Sequence, residues 1–231
     1  MSKGEWEIAI KSAEGRLKSL IQSECWEVCK KSKDCTIYRL QCDITDNTIF
    51  RFIATVTNCS VEDVCLKIHP SGTLRSIWDS QLHSIEVIDE FTEDILVIRH
   101  VTKSRLLGII SERDTIDLCK FTTHSDQSRR VTMTSIVHPN APRVPSIVRA
   151  HTHPSMFIIR PTTNDEVEVE GILHAEMHLN SVPTKVLETL MPRGIMKFHD
   201  DLKRSFQKTQ PEAKVNRSLP GWIAIRSSDR A

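Results

Sequence analysis

At 231 residues the chain is long enough for one large domain with a substantial core and room for an internal cavity. Hydrophobic residues make up 39% and charged residues 26%, the balance of a globular protein, and a formal net charge of +1 gives no reason to expect nucleic acid as a partner. No apolar run approaches the ~18 residues of a membrane span, and the N-terminus lacks the apolar stretch of a secretory signal.

Ser2 occupies the position where myristoylation would need Gly. Seven cysteines, an odd number without any Cys-x-x-Cys spacing, read as reduced thiols, so a cytoplasmic protein without a structural metal or other cofactor is expected.

Taken in order, residues 5–22 place Trp6, Ile10, Ala13, Leu17, Leu20 and Ile21 at steps of three and four, which predicts an amphipathic helix. Residues 26–34 read as a turn-rich connection, and residues 36–40 as a short strand. In 48–57, Phe50, Phe52, Ala54 and Val56 share one face of a strand. Ser60-Val-Glu-Asp63 has the form of a capping box opening a short helix with Val61, Val64, Cys65 and Ile68 on its apolar side. Further strands are predicted at 84–90, 94–102, 114–122, 129–138 and 147–160.

The longest alternation spans 166–179: Val167, Val169, Gly171, Leu173, Ala175, Met177 and Leu179 on one face, Glu166, Glu168, Glu170, His174, Glu176 and His178 on the other. It predicts a core face and a wet face, with only Ile172 out of register. From 184 to 207, Leu187, Met191, Ile195, Phe198, Leu202 and Phe206 follow a helical spacing that Pro192 and Gly194 are expected to kink or break. Residues 209–231 read as a loosely held tail, leaving one domain over 1–208. The order of elements predicts an α+β fold, a mostly antiparallel sheet wrapped around a helix.

Several stretches together resemble one family: Trp26-x-Val-Cys-Lys-Lys-Ser-Lys-Asp-Cys-Thr-Ile-Tyr-Arg39, Ile77-Trp-Asp-Ser80, Ile109-Ile-Ser-x-Arg-Asp114, Val148-Arg-Ala-His-Thr-His-Pro154, Glu176-Met-x-Leu179, Pro183 and Met191-Pro192. The chain is similar to the START domains (steroidogenic acute regulatory protein-related lipid transfer), most of all the short single-domain members that move sterols. That resemblance implies a helix-grip fold, with a curved antiparallel sheet around a long C-terminal helix, an N-terminal helix and an internal lipid tunnel. The helix and an adjacent loop would act as a lid, and residues 122–129 are the expected loop. Members specialised for cholesterol carry a buried acid–arginine pair; the corresponding positions here hold His100 and Cys119, and Glu112 stands where the family carries Pro.

The candidate apolar wall is Phe50, Phe52, Val97, Ile98, Leu173, Met177, Leu187, Met191 and Phe198. Arg99 and His100 interrupt an apolar strand, and because neighbours on a strand point to opposite faces only one of them can look into a tunnel. Either could anchor a polar group of the ligand, arginine suiting a carboxylate; Cys119 and Ser135 are further candidates. Arg113 and Asp114 read as a structural pair, bonded to each other and to loop backbone. His151-x-His153 and His174-x-x-x-His178 invite a metal reading, but a wet histidine face is the simpler account.

Lys197, Lys203 and Arg204 are candidate contacts for an anionic membrane surface. No Gly-x-Ser-x-Gly, P-loop or dinucleotide fingerprint is present, and no catalytic residue is assigned. The expected function is therefore that of a monomeric, non-enzymatic carrier of one sterol-like lipid between membranes. The alternatives are a carrier of a bile acid, oxysterol or other lipid, a hydrolase or cyclase on the same fold using a histidine base, and a ligand-gated regulatory module.

Overall fold

The computed structural model describes residues 3–42, 47–70, 74–104, 110–163, 165–178 and 184–207. The chain runs α1 (Lys3–Ile21), β1 (Glu27–Lys31), β2 (Cys35–Gln41), β3 (Thr48–Thr57), α2 (Val61–Ile68), α3 (Leu74–Trp78), β4 (Leu82–Thr92), β5 (Ile95–Thr102), β6 (Arg113–Thr123) and β7 (Arg129–Ser135). It continues with β8 (Val148–Arg149), β9 (His151–Thr152), β10 (Ser155–Thr163), β11 (Glu166–Leu173), β12 (Ala175–Glu176) and α4 (Thr184–Gln207). The main sheet has the order β1-β2-β3-β11-β10-β7-β6-β5-β4, with β8 pairing β6; β9 and β12 form a separate two-stranded ribbon. Among the described residues every pairing is antiparallel except β6 with β8. The sheet does not close, and α4 packs against β2 and β3 across its inner face, the helix-grip arrangement expected from the sequence.

Both faces of the sheet are covered. On the outer face α1 lays Ile10 against Ile95, Val97, Ile116 and Leu118, and Leu17 and Leu20 against Ile49, Met156, Ile158 and Ile172. On the inner face Phe52, Phe157, Ile159 and Val169 join Val64 and Cys65 of α2 and Ile195, Phe198 and Leu202 of α4 in the largest core. The α2 capping box forms as predicted: Ser60 Oγ accepts from Asp63 N at 3.2 Å, and Asp63 accepts from Ser60 N at 2.9 Å.

Four expectations need correction. Residues 27–31 form a strand, not a connection; it is a polar sheet edge with a bulge between Val28 and Lys30, so its ladder leaves no apolar alternation to read. The second face of the 166–178 segment is wet only in part: Glu166 and Glu168 are half-buried and His178 is exposed, but Glu170, Ile172 and His174 between them are buried. Ile172 is fully buried under α1, Glu170 is buried between Arg51 (2.6 Å) and Arg160 (2.7 Å), and the strand breaks at His174. The 147–160 segment is likewise not one strand but two short pieces, β8 and β9, followed by the nine-residue β10. Last, α4 continues through Pro192: one backbone bond is forfeited there, while Ile195, Phe198 and Leu202 keep the following turns buried.

Candidate lipid-binding cavity

Between the inner face of the sheet, the α3–β4 corner and α4 lies a cavity of about 280 Å³. Its wall is built by alternation. Residues at every second position of β3, β5, β6, β7 and β10 point inward, bringing Phe52, His100, Asp117, Met133 and Phe157 to one space. Six of the anticipated lining residues meet there: Phe52, His100, Leu173, Met177, Met191 and Phe198. The Phe198 ring packs edge-on to Phe52 at 6.2 Å and stacked on Phe157 at 5.7 Å, which closes one wall with α4 itself.

The other candidates fall elsewhere. Val97 is fully buried on the outer face against α1. Arg99 is on that face too, its Nε 3.0 Å from Asp114, so of the neighbouring pair it is His100 that looks inward. Phe50 and Ile98 belong to the inner-face core without lining the cavity. Cys119 is on the inner face but buried in that core, and burial, followed by the nearby Asp117 carboxylate, holds its thiol well above the ordinary value, so it is no nucleophile. Ser135 is one bond removed from the wall, donating to Asp117 at 2.8 Å while accepting from Thr152 N at 2.7 Å. The side chain of Leu187 lies outside the described residues.

The inward carboxylate that sequence reasoning missed is Asp117. It is 2% exposed, accepts from Thr115 Oγ1 at 2.7 Å and from Ser135, and stands 3.5 Å from His100 Nδ1. The signal was there in Thr115-Ile-Asp-Leu118, where the polar residues fall on one strand face and the apolar ones on the other. His100 of β5 and Asp117 of β6 thus form an inward-facing polar pair, whereas Cys119 is buried in the core beside them. At the α3–β4 corner Arg75 Nε lies 3.5 Å from Asp79 and its guanidinium sits over the Phe198 ring at 5.7 Å. No periodicity marks either residue, because α3 is only five residues long.

Arg113 and Asp114 do not bond to each other, since adjacent strand positions send them to opposite faces. Asp114 is clamped by Arg99 and Arg149 on the outer face. Arg113 turns into the cavity wall and does take the expected loop backbone, donating to Met177 O at 3.3 Å and to the carbonyl and hydroxyl of Ser111.

Of the four histidines, His151 and His178 are exposed as expected, His174 is buried, and His151, His153 and His174 form one cluster. His153 stacks on His174 at 4.2 Å, contacts the His151 ring at 4.7 Å and meets Glu176 Oε1 at 2.9 Å. His174 is buried and lines the cavity; burial, then the neighbouring His153, push its pKa down to about 4. Ser155 Oγ takes over its backbone, accepting from His174 N at 3.0 Å where the strand breaks. Among the described residues no group of three or more His, Cys, Asp or Glu has the geometry to hold a metal ion.

The second half of α4 is latched to its surroundings. Asp201 accepts from the Ser80 amide and hydroxyl, His199 Nε2 donates to Thr55 O at 3.0 Å, Gln81 Nε2 donates to Gly194 O at 2.9 Å, and Lys203 pairs with Asp34. Lys197 and Arg204 lie 3.5 and 3.1 Å from Asp201, so the three anticipated membrane-docking cations each have a carboxylate neighbour. The 122–129 segment is a tight hairpin, His124 and Ser128 joined at 3.0 Å, and none of it lines the cavity. The space reaches the opposite end of β6, at Thr102, Lys103 and Ile110. Residues 208–231 lie outside the described residues, as do 105–109 and 179–183.

Comparison with known proteins agrees with this geometry. The START domain family model matches residues 13–212, and the chain belongs to that family. It is 26% identical over 186 residues to StAR-related lipid transfer protein 5 of Bos taurus, covering 79% of this chain and 86% of that protein. It is 24% identical over 187 residues to StAR-related lipid transfer protein 4 of Homo sapiens, covering 80% and 88%. The structure of human StAR-related lipid transfer protein 5 superposes with a TM-score of 0.83 at 21% identity, covering 89% of this chain and 98% of that one, which establishes the shared fold. Among the described residues no helix is long and apolar enough to cross a membrane.

Proposed function

We propose that this START protein is a non-enzymatic, cytoplasmic carrier that encloses one sterol-like lipid between its sheet and α4 and moves it between membranes as a monomer. The observation that carries the reading is the cavity: Phe52, Met133, Phe157, Leu173, Ile195 and Phe198 surround it, with the His100–Asp117 pair on the same wall. Burying about 400 Å² of apolar ligand at about 25 cal/mol/Å² is worth on the order of 10 kcal/mol, whereas one hydrogen bond adds about 1 kcal/mol net. Apolar walls therefore hold the cargo, and His100 and Asp117 orient it.

The arrangement of the polar groups speaks against hydrolysis. Asp117 stands between His100 and Ser135, so the Ser135 hydroxyl donates to the carboxylate and is not presented to the imidazole that would have to activate it. Lys197, Lys203 and Arg204 supply transient contact with an anionic membrane in this reading, at about 1 kcal/mol per cation before discounting their carboxylate neighbours. The test is lipid extraction and native mass spectrometry of protein purified from its own cells, with sterol exchange between liposomes. A single bound hydrophobic molecule and catalysed exchange are expected; an empty protein that exchanges nothing would refute the carrier.

A further inference from the structure

Among the described residues the cavity wall contains a buried cation without a counter-ion. Arg113 is 6% exposed, and its acceptors are the Met177 carbonyl and the carbonyl and hydroxyl of Ser111. No carboxylate lies within ion-pair distance of it among the described residues. The other charges near it are committed elsewhere. Asp114 holds Arg99 and Arg149 on the outer face, and Glu112, the adjacent acid, meets His83 Nδ1 at 2.6 Å.

Among the described residues two carboxylates line the cavity, Asp79 and Asp117. Asp79 faces Arg75, and Asp117 is four positions along the strand from Arg113, about 13 Å away at about 3.3 Å per residue. The stretches 105–109 (Arg-Leu-Leu-Gly-Ile) and 179–183 (Leu-Asn-Ser-Val-Pro), which flank Ser111 and Met177 in the chain, contain no acid at all. Next to Arg113 the β5–β6 register sets Thr102, and Lys103 follows on the same cavity wall, its Nζ donating to Ser80 O at 3.1 Å. This end of the cavity therefore carries two cations, and Asp79, the lining carboxylate nearest Lys103 in the fold, is already met by Arg75 and by the Gln81 amide at 3.1 Å.

A guanidinium taken out of water and met only by neutral dipoles is costly, and an anion is its natural partner; its planar fork suits a carboxylate, sulfate or phosphate. We propose that the acidic group of the cargo supplies this missing charge, so that the protein carries an anionic amphiphile with its apolar body against Phe52 and Phe198 and its acid on Arg113 and Lys103. The proposal rests on the carrier reading above and narrows its ligand class.

The test compares three probes with one steroid body: 3β-hydroxy-5-cholenic acid, its methyl ester and the corresponding 24-alcohol, titrated into the full chain at pH 7.5. The acid should bind at least about 10-fold tighter than ester or alcohol, the ratio expected of a charge-assisted hydrogen bond. In Arg113→Gln the preference should fall to within about threefold, Arg113→Lys should retain part of it, and Lys103→Gln, at an exposed position, should reduce it. Equal binding of acid, ester and alcohol would overturn the proposal and leave the carrier standing. A preference that survives in folded Arg113→Gln would overturn its assignment to Arg113. Failure of all three probes to bind, with no liposome exchange, would overturn the carrier reading itself. Should Arg113→Gln not fold, the wild-type preference together with Lys103→Gln still decides.

Discussion

Asp114 offers the sharpest test of how the sheet divides its charges. Its carboxylate is 1% exposed and accepts from Arg99 Nε (3.0 Å), Arg149 Nε (2.7 Å) and Arg149 Nη2 (3.0 Å), with Arg99 Nη2 at 2.9 Å. Asp114→Asn keeps the shape but removes the charge between two guanidinium groups whose side chains are only 20% and 15% exposed. Breaking a buried pair costs about 3–5 kcal/mol, because the surviving charge stays desolvated. For a domain of this size that lowers the melting temperature by about 6–20 °C, at about 2–4 °C per kcal/mol.

The assay is urea and thermal unfolding of the single variants and of two double-mutant cycles. Asp114→Asn should couple to Arg99→Gln by about 0.5–3 kcal/mol, and to Arg113→Gln by no more than about 0.5 kcal/mol. A loss below about 1 kcal/mol, or stronger coupling to Arg113 than to Arg99, would refute the outer-face clamp and restore the Arg113–Asp114 pair that the sequence suggests.

Other perturbations probe the cavity and the latch. A Cβ at Gly171 would come within 2.2 Å of Phe52 Cε1, so Gly171→Ala must push the Phe52 ring into the cavity, costing about 1–3 kcal/mol and reducing lipid loading; unchanged melting and loading would contradict this. Burial holds His69 at about 4 and His174 at about 4, against an ordinary 6.5, so both favour the neutral form in the fold. Their contribution is complete above about pH 6.5 and is lost as pH falls toward 4, which at about 1.4 kcal/mol per pKa unit takes about 2 kcal/mol from His69 by pH 5, with His174 acting in the same direction. Urea unfolding at pH 7.5 and 5 reads this, and a flat profile would count against it. Asp201→Ala removes the acceptor for Ser80, and hydrogen exchange should then speed up over residues 195–207 well before the β10–β11 strands; uniform protection would show that apolar packing alone holds the helix.

How much could be read from the chain alone follows from where periodicity survives. Ile10, Ala13, Leu17 and Leu20 mark α1 because one stripe of it is buried, and Phe50 to Val56 mark β3 because its inner face alternates cleanly with exposed or half-buried positions. Glu27–Lys31 gave no such mark, since an edge strand held by its ladder needs no apolar face. Ile172 looked like an error in the alternation of β11 only because the helix that buries it is more than 150 positions earlier in the chain. Alternation could say that Arg99 and His100 diverge, but which of them enters the cavity depends on the side on which α1 packs, a tertiary fact. Arg75 and Asp79 were beyond reach for the opposite reason: a five-residue helix is too short to carry a period.

The same alternation separates two kinds of charged residue. Two buried outward-facing acids are multiply clamped: Asp114 by Arg99 and Arg149, Glu170 by Arg51 and Arg160. Inward-facing ionisable groups are met more sparingly, Asp117 by two hydroxyls with His100 at 3.5 Å, and Arg113 by carbonyls and one hydroxyl. A buried charge bonded to several opposite charges has nothing left for a guest, whereas one met mainly by neutral dipoles keeps a strong field directed into the space it faces. Neighbouring residues on one strand therefore divide the labour, Arg99 from His100 and Asp114 from Arg113. Substitutions at the outward member should register in unfolding free energy, and those at the inward member in the choice of lipid.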